Sequence, residues 1–412
     1  MPTPTKTRSV SERLADTPTV REVVLSAAAA ARGVTAHPGG GDISSHAMTH
    51  SWVLTGPPGS GRSIVAQCFA AALVCEMPGG EIGCGRCPSC LDAFGDSHTD
   101  VVHVIPTELS ISKSVVDKLV DDAHRLPTVA QYRVIIVEDA DRFTGEAADA
   151  FLKTVEEPPA TTVILMCAPS IDPADFSQTL RSRCRHLYVP SPSTGEIVRI
   201  LVEEEGATEE VARLAAVTSL HHVGRARRLV RSTEAQKRRA LAIQLAELIY
   251  QGDQAFQAVG SLVKAVKKEA ETSHTEEEER EREKLERALG MGGKGKGVAR
   301  ATRGAAGTLK DLEERQKKRR TRYQRDIYDL VLVDLTGVYR DALMVKTGAA
   351  VALTHPDFEG QAHEIAARTS VEGLVQCLDA ISLCRARFGQ NVQPQIALDG
   401  MVGAIRIALD AH

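Results

Sequence analysis

At 412 residues the chain has room for two or three domains of roughly 100–200 residues each. Hydrophobic residues make up 43% of it, which excludes wholesale disorder. A formal net charge of -4 and an aromatic content of 4% exclude a globally basic or base-stacking nucleic-acid binder, so any such surface has to be local. No apolar run approaches the roughly 20 residues needed to span a bilayer. The opening MPTPTKTRSVSERLADTP has no apolar core of the signal-peptide kind. The expectation is a cytoplasmic protein with no membrane association. Nine cysteines fit this, because four of them form a metal-type cluster rather than a disulfide framework.

In chain order, residues 9–32 predict one helix, with Val20, Val23, Val24 and Ala27 at three- and four-residue spacing. GVTAHPGGGDISSHAMTH reads as a flexible surface loop. SWVLTG is a short strand running into a glycine loop, and SIVAQCFAAALVC is the helix after it. VVHVIP, YRVIIVED and TVILMCA are apolar runs of the kind that make buried parallel strands. SKSVVDKLVDDAHRL and GEAADAFLKTVEEPP are helical patterns between them. The β-α-β-α-β-α-β order predicts an α/β domain over residues 1–190, a parallel sheet with helices on both faces.

Residues 191–239 predict a small helical domain with apolar positions at Ile197, Ile200, Leu201, Val211 and Leu214. Residues 240–412 predict an all-helical domain. In it Tyr328, Leu332, Leu335 and Tyr339 form an apolar stripe, and two further helices reach His412. Residues 271–322 are poor in apolar side chains and dense in charge, which predicts a disordered, solvated insertion. A basic arm touching nucleic acid is the rival reading of that segment.

Three motifs carry chemistry. In LTGPPGSGRSIVAQCF, Gly56 and Gly61 have phosphate-loop spacing, with Gly59 between them. Glycines let the backbone curl so that successive N–H groups point at phosphate oxygens, and the following helix adds the positive end of its dipole. Ser63 would ligate Mg²⁺ through its hydroxyl. The motif demands lysine where Arg62 stands. Arginine can hold phosphate as a bidentate fork, but it does not place a compact charge in the same spot. Binding of ATP or ADP with Mg²⁺ is therefore expected, and efficient hydrolysis is not.

The second motif lies after the strand VIIV. Sites of this type place Asp-Glu there, the first to support the metal and the second to activate water. Here the order is Glu138-Asp139. Each carboxylate is displaced by about one methylene, and base catalysis depends on hydrogen-bond reach. A degenerate active site is one reading, and solvated residues at a strand end the other.

The third motif is Cys75, Cys84, Cys87 and Cys90, spaced C-x8-C-x2-C-x2-C. This fits a closed tetrahedral Cys₄ site for structural zinc over residues 75–90, with no coordination position left for catalysis. An iron–sulfur cluster or free buried cysteines are the alternatives. Gly80, Gly83 and Gly85 leave the segment little apolar surface to fold upon. The remaining cysteines read as packed core or helix-face residues. In KTVEEPP, Pro158 stops the helix, so Glu156 and Glu157 lie at the unfavourable end of its dipole. A cation from an adjacent subunit, or solvent, would offset this.

Together these elements resemble the clamp-loader subunits of bacterial DNA polymerase III, over about residues 50–230. The resemblance rests on HSWVLTGPPGSGRS, the Cys₄ insertion, FLKTVEEPP and LRSRC. It implies an AAA+ P-loop domain with a zinc module, a helical lid, and a helical collar domain that assembles into a hetero-pentamer. It also implies that Arg183, in Ser-Arg-Cys, reaches the ATP site of a neighbouring subunit as an arginine finger; a plain surface arginine is the alternative. Arg227, in GRAR, would be the phosphate-facing arginine of the lid. Arg62, Glu138-Asp139 and the CAPS stretch at 167–170 depart from the gamma/tau ATPase pattern. They are similar instead to the delta-prime paralogue, whose nucleotide site is degenerate. ADTPTV stands where relatives carry a Gly-Gln that frames adenine. The implied partners are gamma/tau and delta subunits, the sliding clamp and the phosphates of primer–template DNA. The rivals are an active gamma/tau-like DNA-stimulated ATPase, and a zinc-dependent nucleic-acid-binding module.

Overall fold

Apolar runs build a five-stranded parallel sheet in the computed structural model, which describes residues 8–33, 47–77, 82–289, 298–390 and 392–410. The chain divides into two units, Met1–Arg231 and Ser232–His412. No helix among the described residues is long and apolar enough to cross a membrane.

The sheet comprises β1 (Ser51–Thr55), β2 (Val101–Val104), β3 (Arg133–Val137), β4 (Thr162–Ala168) and β5 (Arg185–Tyr188), in the order β2-β3-β4-β1-β5. β1, β3 and β4 are buried along their whole length, as continuous apolar runs require when both faces are covered. Strand alternation then sorts the side chains. Trp52, Leu54, Val134, Ile136, Val163 and Leu165 enter one core with α2 (Pro18–Ala31) and α3 (Arg62–Val74). Val53, Ile135, Val137, Ile164 and Met166 enter the other, with α5 (Lys113–Ala123) and α6 (Gly145–Glu156).

β5 is absent from the predicted strand set. Only Leu187 of its four residues is buried, so it lacks an apolar run. It is held at the edge by parallel pairing with Trp52–Thr55 and by Arg185, whose guanidinium lies 4.8 Å from the Trp52 ring centre.

The single helix expected over 9–32 is two, α1 (Val10–Arg13) and α2. Ser9 and Glu12 close α1 with a reciprocal capping box, and Pro18 starts α2 because its missing N–H costs nothing at a first turn. Most of the predicted loop after α2 lies outside the described residues. Two short helices, α4 (Pro88–Phe94) and α7 (Gln178–Arg181), complete the sheet region.

The helical segment expected as a separate domain over 191–239 belongs to the first unit as far as Arg231. It forms α8 (Thr194–Glu205), α9 (Glu209–Thr218) and α10 (Val223–Arg231). Ile197 and Leu201 are buried as predicted, but Val211 and Leu214 are exposed. Ala212, Ala215 and Ala216 face the core in their place. Small side chains let α9 approach its neighbours closely, which a stripe of larger residues would prevent.

The second unit comprises α11 (Thr233–Leu248), α12 (Gln254–Ser273), α13 (Thr275–Ala288), α14 (Val298–Thr347), α15 (Glu359–Arg368), α16 (Val371–Gly389) and α17 (Pro394–Ala408). α11 runs through the boundary expected at residues 239/240. Three helices, not two, follow the long α14. Tyr328, Leu332, Leu335 and Tyr339 are buried in the core, as their spacing predicted. The disorder expected over 271–322 is not found in its described residues, which are helical; residues 290–297 lie outside them. Charge patterning supplies what apolar burial does not. Along α13, Arg280–Glu276, Arg282–Glu286 and Arg287–Glu283 pair at four-residue spacing. Arg319 of α14 reaches Glu281 at 2.9 Å, and Gln316 donates to the Glu278 carbonyl at 3.1 Å. The His274 ring, just before α13, lies 5.0 Å from that of Tyr323, while Glu281 farther along α13 meets the earlier Arg319, so the two helices run antiparallel with acidic and basic faces together.

One buried carboxylate fixes the loop between α5 and β3. Asp100 is fully buried and accepts from the backbone N–H groups of Thr128 (2.6 Å), Val129 (2.7 Å) and Ala130 (2.8 Å). Burial alone would raise its pKa; the three N–H donors outweigh that and hold it below the usual carboxylate value. A depressed folded-state pKa contributes stability above the unfolded value, about 3.9, and that contribution is lost as pH falls through the folded one. Asp100→Asn should therefore destabilise the first unit by about 2–4 kcal/mol at neutral pH, because an amide cannot accept from all three donors. In denaturant melts the gap from the parent should shrink below about pH 4. A gap that stays constant down to pH 2 would exclude this account.

Candidate nucleotide, metal and finger sites

β1 feeds straight into the glycine loop, and α3 starts at Arg62 on its far side. Gly61 caps α3 at φ 86°, and a Cβ there would meet nothing within 4 Å. At Gly56 a Cβ would lie 2.1 Å from the Val189 carbonyl oxygen, and at Gly59 2.4 Å from Cγ of His222. The loop thus needs glycine for two close approaches, one of them by the residue that precedes α10. Two buried polar atoms in it have no hydrogen-bond partner: the Ser60 hydroxyl oxygen and Nη1 of Arg62. An orphaned hydroxyl and guanidinium nitrogen beside a helix N-terminus fit a phosphate group.

The acidic pair is differently disposed. Glu138 is hydrogen-bonded to Ser63 and to Nε2 of His103 on β2, the latter at 2.8 Å. Nδ1 of His103 is in turn 2.6 Å from Asp96. Burial alone would raise the Glu138 carboxyl; the bonds to His103 and Ser63 bring it below its usual value. Burial would lower His103, and its two carboxylate partners raise it instead. The structure therefore does bring the two expected Mg²⁺ ligands, Ser63 and Glu138, together, but with an imidazole on the carboxylate. Asp139 has left-handed backbone, φ 47°, and lies 3.5 Å from Nε of Arg142. In the CAPS stretch, the Pro169 carbonyl accepts from the Gly56 N–H at 3.2 Å, and Ser170 donates to Asp175 at 2.6 Å.

His103 and His222 were both missed by motif reading. Nothing in VVHV alone sets His103 near Glu138; the strand order β2-β3 and the pairing of His103 with Ile136 do. Burial, then Arg225, lowers the His222 pKa, with smaller effects from Arg228 and Arg62. Arg227, expected to face phosphate, pairs instead with Glu204 and Glu205 of α8, the latter at 3.3 Å. Of the GRAR arginines, the one felt by the loop-facing His222 is Arg225, not Arg227.

Cys75, Cys84, Cys87 and Cys90 are all buried, with their sulfurs within 4.8 Å of one another. Zinc bonded to four sulfurs at about 2.3 Å sets them about 3.8 Å apart, so the cluster fits the ion. Backbone N–H groups already point at the sulfurs: Cys87 to Cys84 at 3.3 Å and Cys90 to Cys87 at 3.4 Å. A hydrogen bond from Cys90 holds the Cys75 thiol far below its ordinary pKa. The module also anchors the N-terminal segment. Val10 N–H donates to the Gly83 carbonyl at 2.8 Å, and a Cβ on Gly85 would lie 2.0 Å from the Arg8 carbonyl oxygen.

Arg183 sits between α7 and β5, at the amino ends of the strands and away from the glycine loop, which follows β1. Its side chain is one-third exposed. Its Nε is 3.0 Å from Glu156, and its Nη1 donates to the Thr179 carbonyl at 3.0 Å and the Ser182 hydroxyl at 3.2 Å. The cation that offsets Glu156 at the end of α6 thus comes from the same chain, not from a neighbour or solvent.

Residues 41–193 match a family model described as DNA polymerase III, delta subunit. The chain is 32% identical to DNA polymerase III subunit delta' of Yersinia pestis, over 41% of this chain and 51% of that one. It is 29% identical to the delta' subunit of Escherichia coli, over 50% and 61%. It is 27% identical to the tau subunit of Bacillus subtilis, over 41% and 31%. The chain spans about half the length of the delta' relatives it matches. Among solved structures, a gamma subunit-related protein from Thermotoga maritima aligns over 87% of this chain at 18% identity with a TM-score of 0.38, too loose a likeness to carry weight.

Elemental analysis of the purified chain should find zinc and not iron. Cys87→Ser should lose the zinc and lower the melting temperature, since metal binding at such a site is folding free energy. Zinc-free protein that melts where the parent does would exclude a structural metal.

Proposed function

We propose that the chain is a clamp-loader subunit of a bacterial DNA polymerase III, of the delta-prime kind. On this reading it is a rigid stator rather than a motor, and not itself a polymerase. Its sheet domain is an AAA+ module with α8–α10 as the lid, and Ser232–His412 is the collar domain of a hetero-pentamer with gamma/tau and delta. It helps load the sliding clamp onto primed DNA in the cytoplasm, touching DNA mainly through phosphates, so that contact weakens with salt and ignores sequence.

The observation that carries the reading is the contrast between two sites of one sheet. The carboxylate that would support Mg²⁺ is tied to His103, beside a loop with arginine for lysine. Arg183 meanwhile stands partly exposed at the other end of the strands. The pattern favours a subunit that has lost its own hydrolysis and completes a neighbour's. Bound nucleotide would supply a γ-phosphate there; this chain would supply the planar cation that meets its developing charge.

One observation favours the rival, an active gamma/tau-like ATPase: Ser60 and Arg62 leave buried polar atoms where a phosphate would sit. Turnover separates the two. The isolated chain should hydrolyse ATP no faster than its Arg62→Ala variant. Several turnovers per second, abolished by Arg62→Ala, would end the stator reading. In the complex with gamma/tau, delta, clamp and primed DNA, Arg183→Ala should slow the site it serves by about 1,000-fold or more, seen as a partial loss of total turnover with assembly intact. Unchanged turnover would remove the finger role.

A further inference from the structure

We infer that Glu156 is the positioning residue of Arg183: it holds Nε and, with Nη1 held from the other side, leaves Nη2 to be presented outward. The inference rests on the finger reading above, and adds to it the group that sets the finger's geometry.

A guanidinium has five N–H donors in one plane. Here Glu156 takes Nε, while the Thr179 carbonyl and the Ser182 hydroxyl take Nη1. Ser182 itself donates to Thr179 at 2.9 Å, so the Nη1 side is braced twice. The donors left over are the two on Nη2. A free arginine samples many rotamers, and a finger held on three acceptors loses that freedom before it meets its target.

Both supports are rigid. α6 is anchored by Ala147, Phe151, Thr154 and Val155, all buried, and the Ser51 hydroxyl donates to the Val155 carbonyl at 2.8 Å. α7 is anchored by buried Leu180. Pro158 ends α6 where it does, so the last helical side chain is the one aimed at Arg183. A carboxylate at a helix C-terminus opposes the dipole, and Arg183 relieves that. The pair is half-exposed, and pairs of that kind add little to stability. Its value is therefore in orientation.

The test uses the reconstituted complex with gamma/tau, delta, clamp and primed DNA. Glu156→Ala should lower kcat by roughly half or more of the loss caused by Arg183→Ala, with KM for ATP and the melting temperature unchanged. Glu156→Gln keeps an oxygen that can accept from Nε, and should recover most of the rate. On an Arg183→Ala background, Glu156→Ala should have no further effect. Unchanged turnover in Glu156→Ala, with Arg183→Ala still impaired, would overturn the positioning role and leave the finger standing. Raised turnover would overturn it too, since the carboxylate would then be restraining the arginine. A loss that persists without Arg183 would mark a merely structural residue. If Arg183→Ala itself changes nothing, the finger reading falls and the inference falls with it.

Discussion

All five strands of the sheet point the same way, and that polarity sorts the chemistry of the first unit. Segments that leave the carboxyl ends gather at one edge: the glycine loop after β1, Glu138-Asp139 after β3 and the CAPS stretch at the end of β4. Segments that enter the amino ends gather at the other: Glu156 before β4 and Arg183 before β5. Parallel pairing demands full burial, and the apolar runs of β1, β3 and β4 satisfy it. The sites are thus placed by backbone direction, and their side chains only refine them.

At the carboxyl edge the refinement is toward closure. Ser63, Glu138, His103 and Asp96 form a continuous chain of hydrogen bonds beside the glycine loop. A carboxylate already satisfied by an imidazole gains less from an incoming cation than an unpartnered one. Arg62 lies in the same region, near enough to oppose the burial that raises the Asp141 pKa. The glycine loop keeps two unpartnered polar atoms, on Ser60 and Arg62, while the carboxylate beside it is engaged by an imidazole.

Much of this was legible in the residues. Four strands announced themselves as apolar runs, the Cys₄ spacing gave its cluster, and Tyr328 to Tyr339 gave a buried helix face. What was not legible depended on pairing between distant segments. β5 has one buried side chain of four and is a strand only because β1 offers it an edge. Arg227 matched a motif, yet Glu204 and Glu205 claim it. Residues 275–287 and the stretch of α14 around Gln316 and Arg319 look disordered by hydrophobicity, because pairing such as theirs with Glu281 is not revealed by composition. Both units also pin a loop on a buried carboxylate. Asp100 does so in one, and in the other Asp341 accepts from Thr354 and His355 at 2.8 Å each. Neither aspartate differs in sequence context from a solvated one.

The separation of Arg183 from the glycine loop has a further meaning. A strand of five residues spans roughly 15 Å, so the arginine of one copy cannot reach its own loop. On the proposed reading, the donor end of one subunit meets the acceptor end of the next, and head-to-tail contacts of that kind close into rings or run on as filaments. On the proposed reading this chain keeps the donor end and has dulled the acceptor end. A row of subunits can then start or stop at it but not pass through it. Its place in an assembly would be fixed by what it can no longer receive.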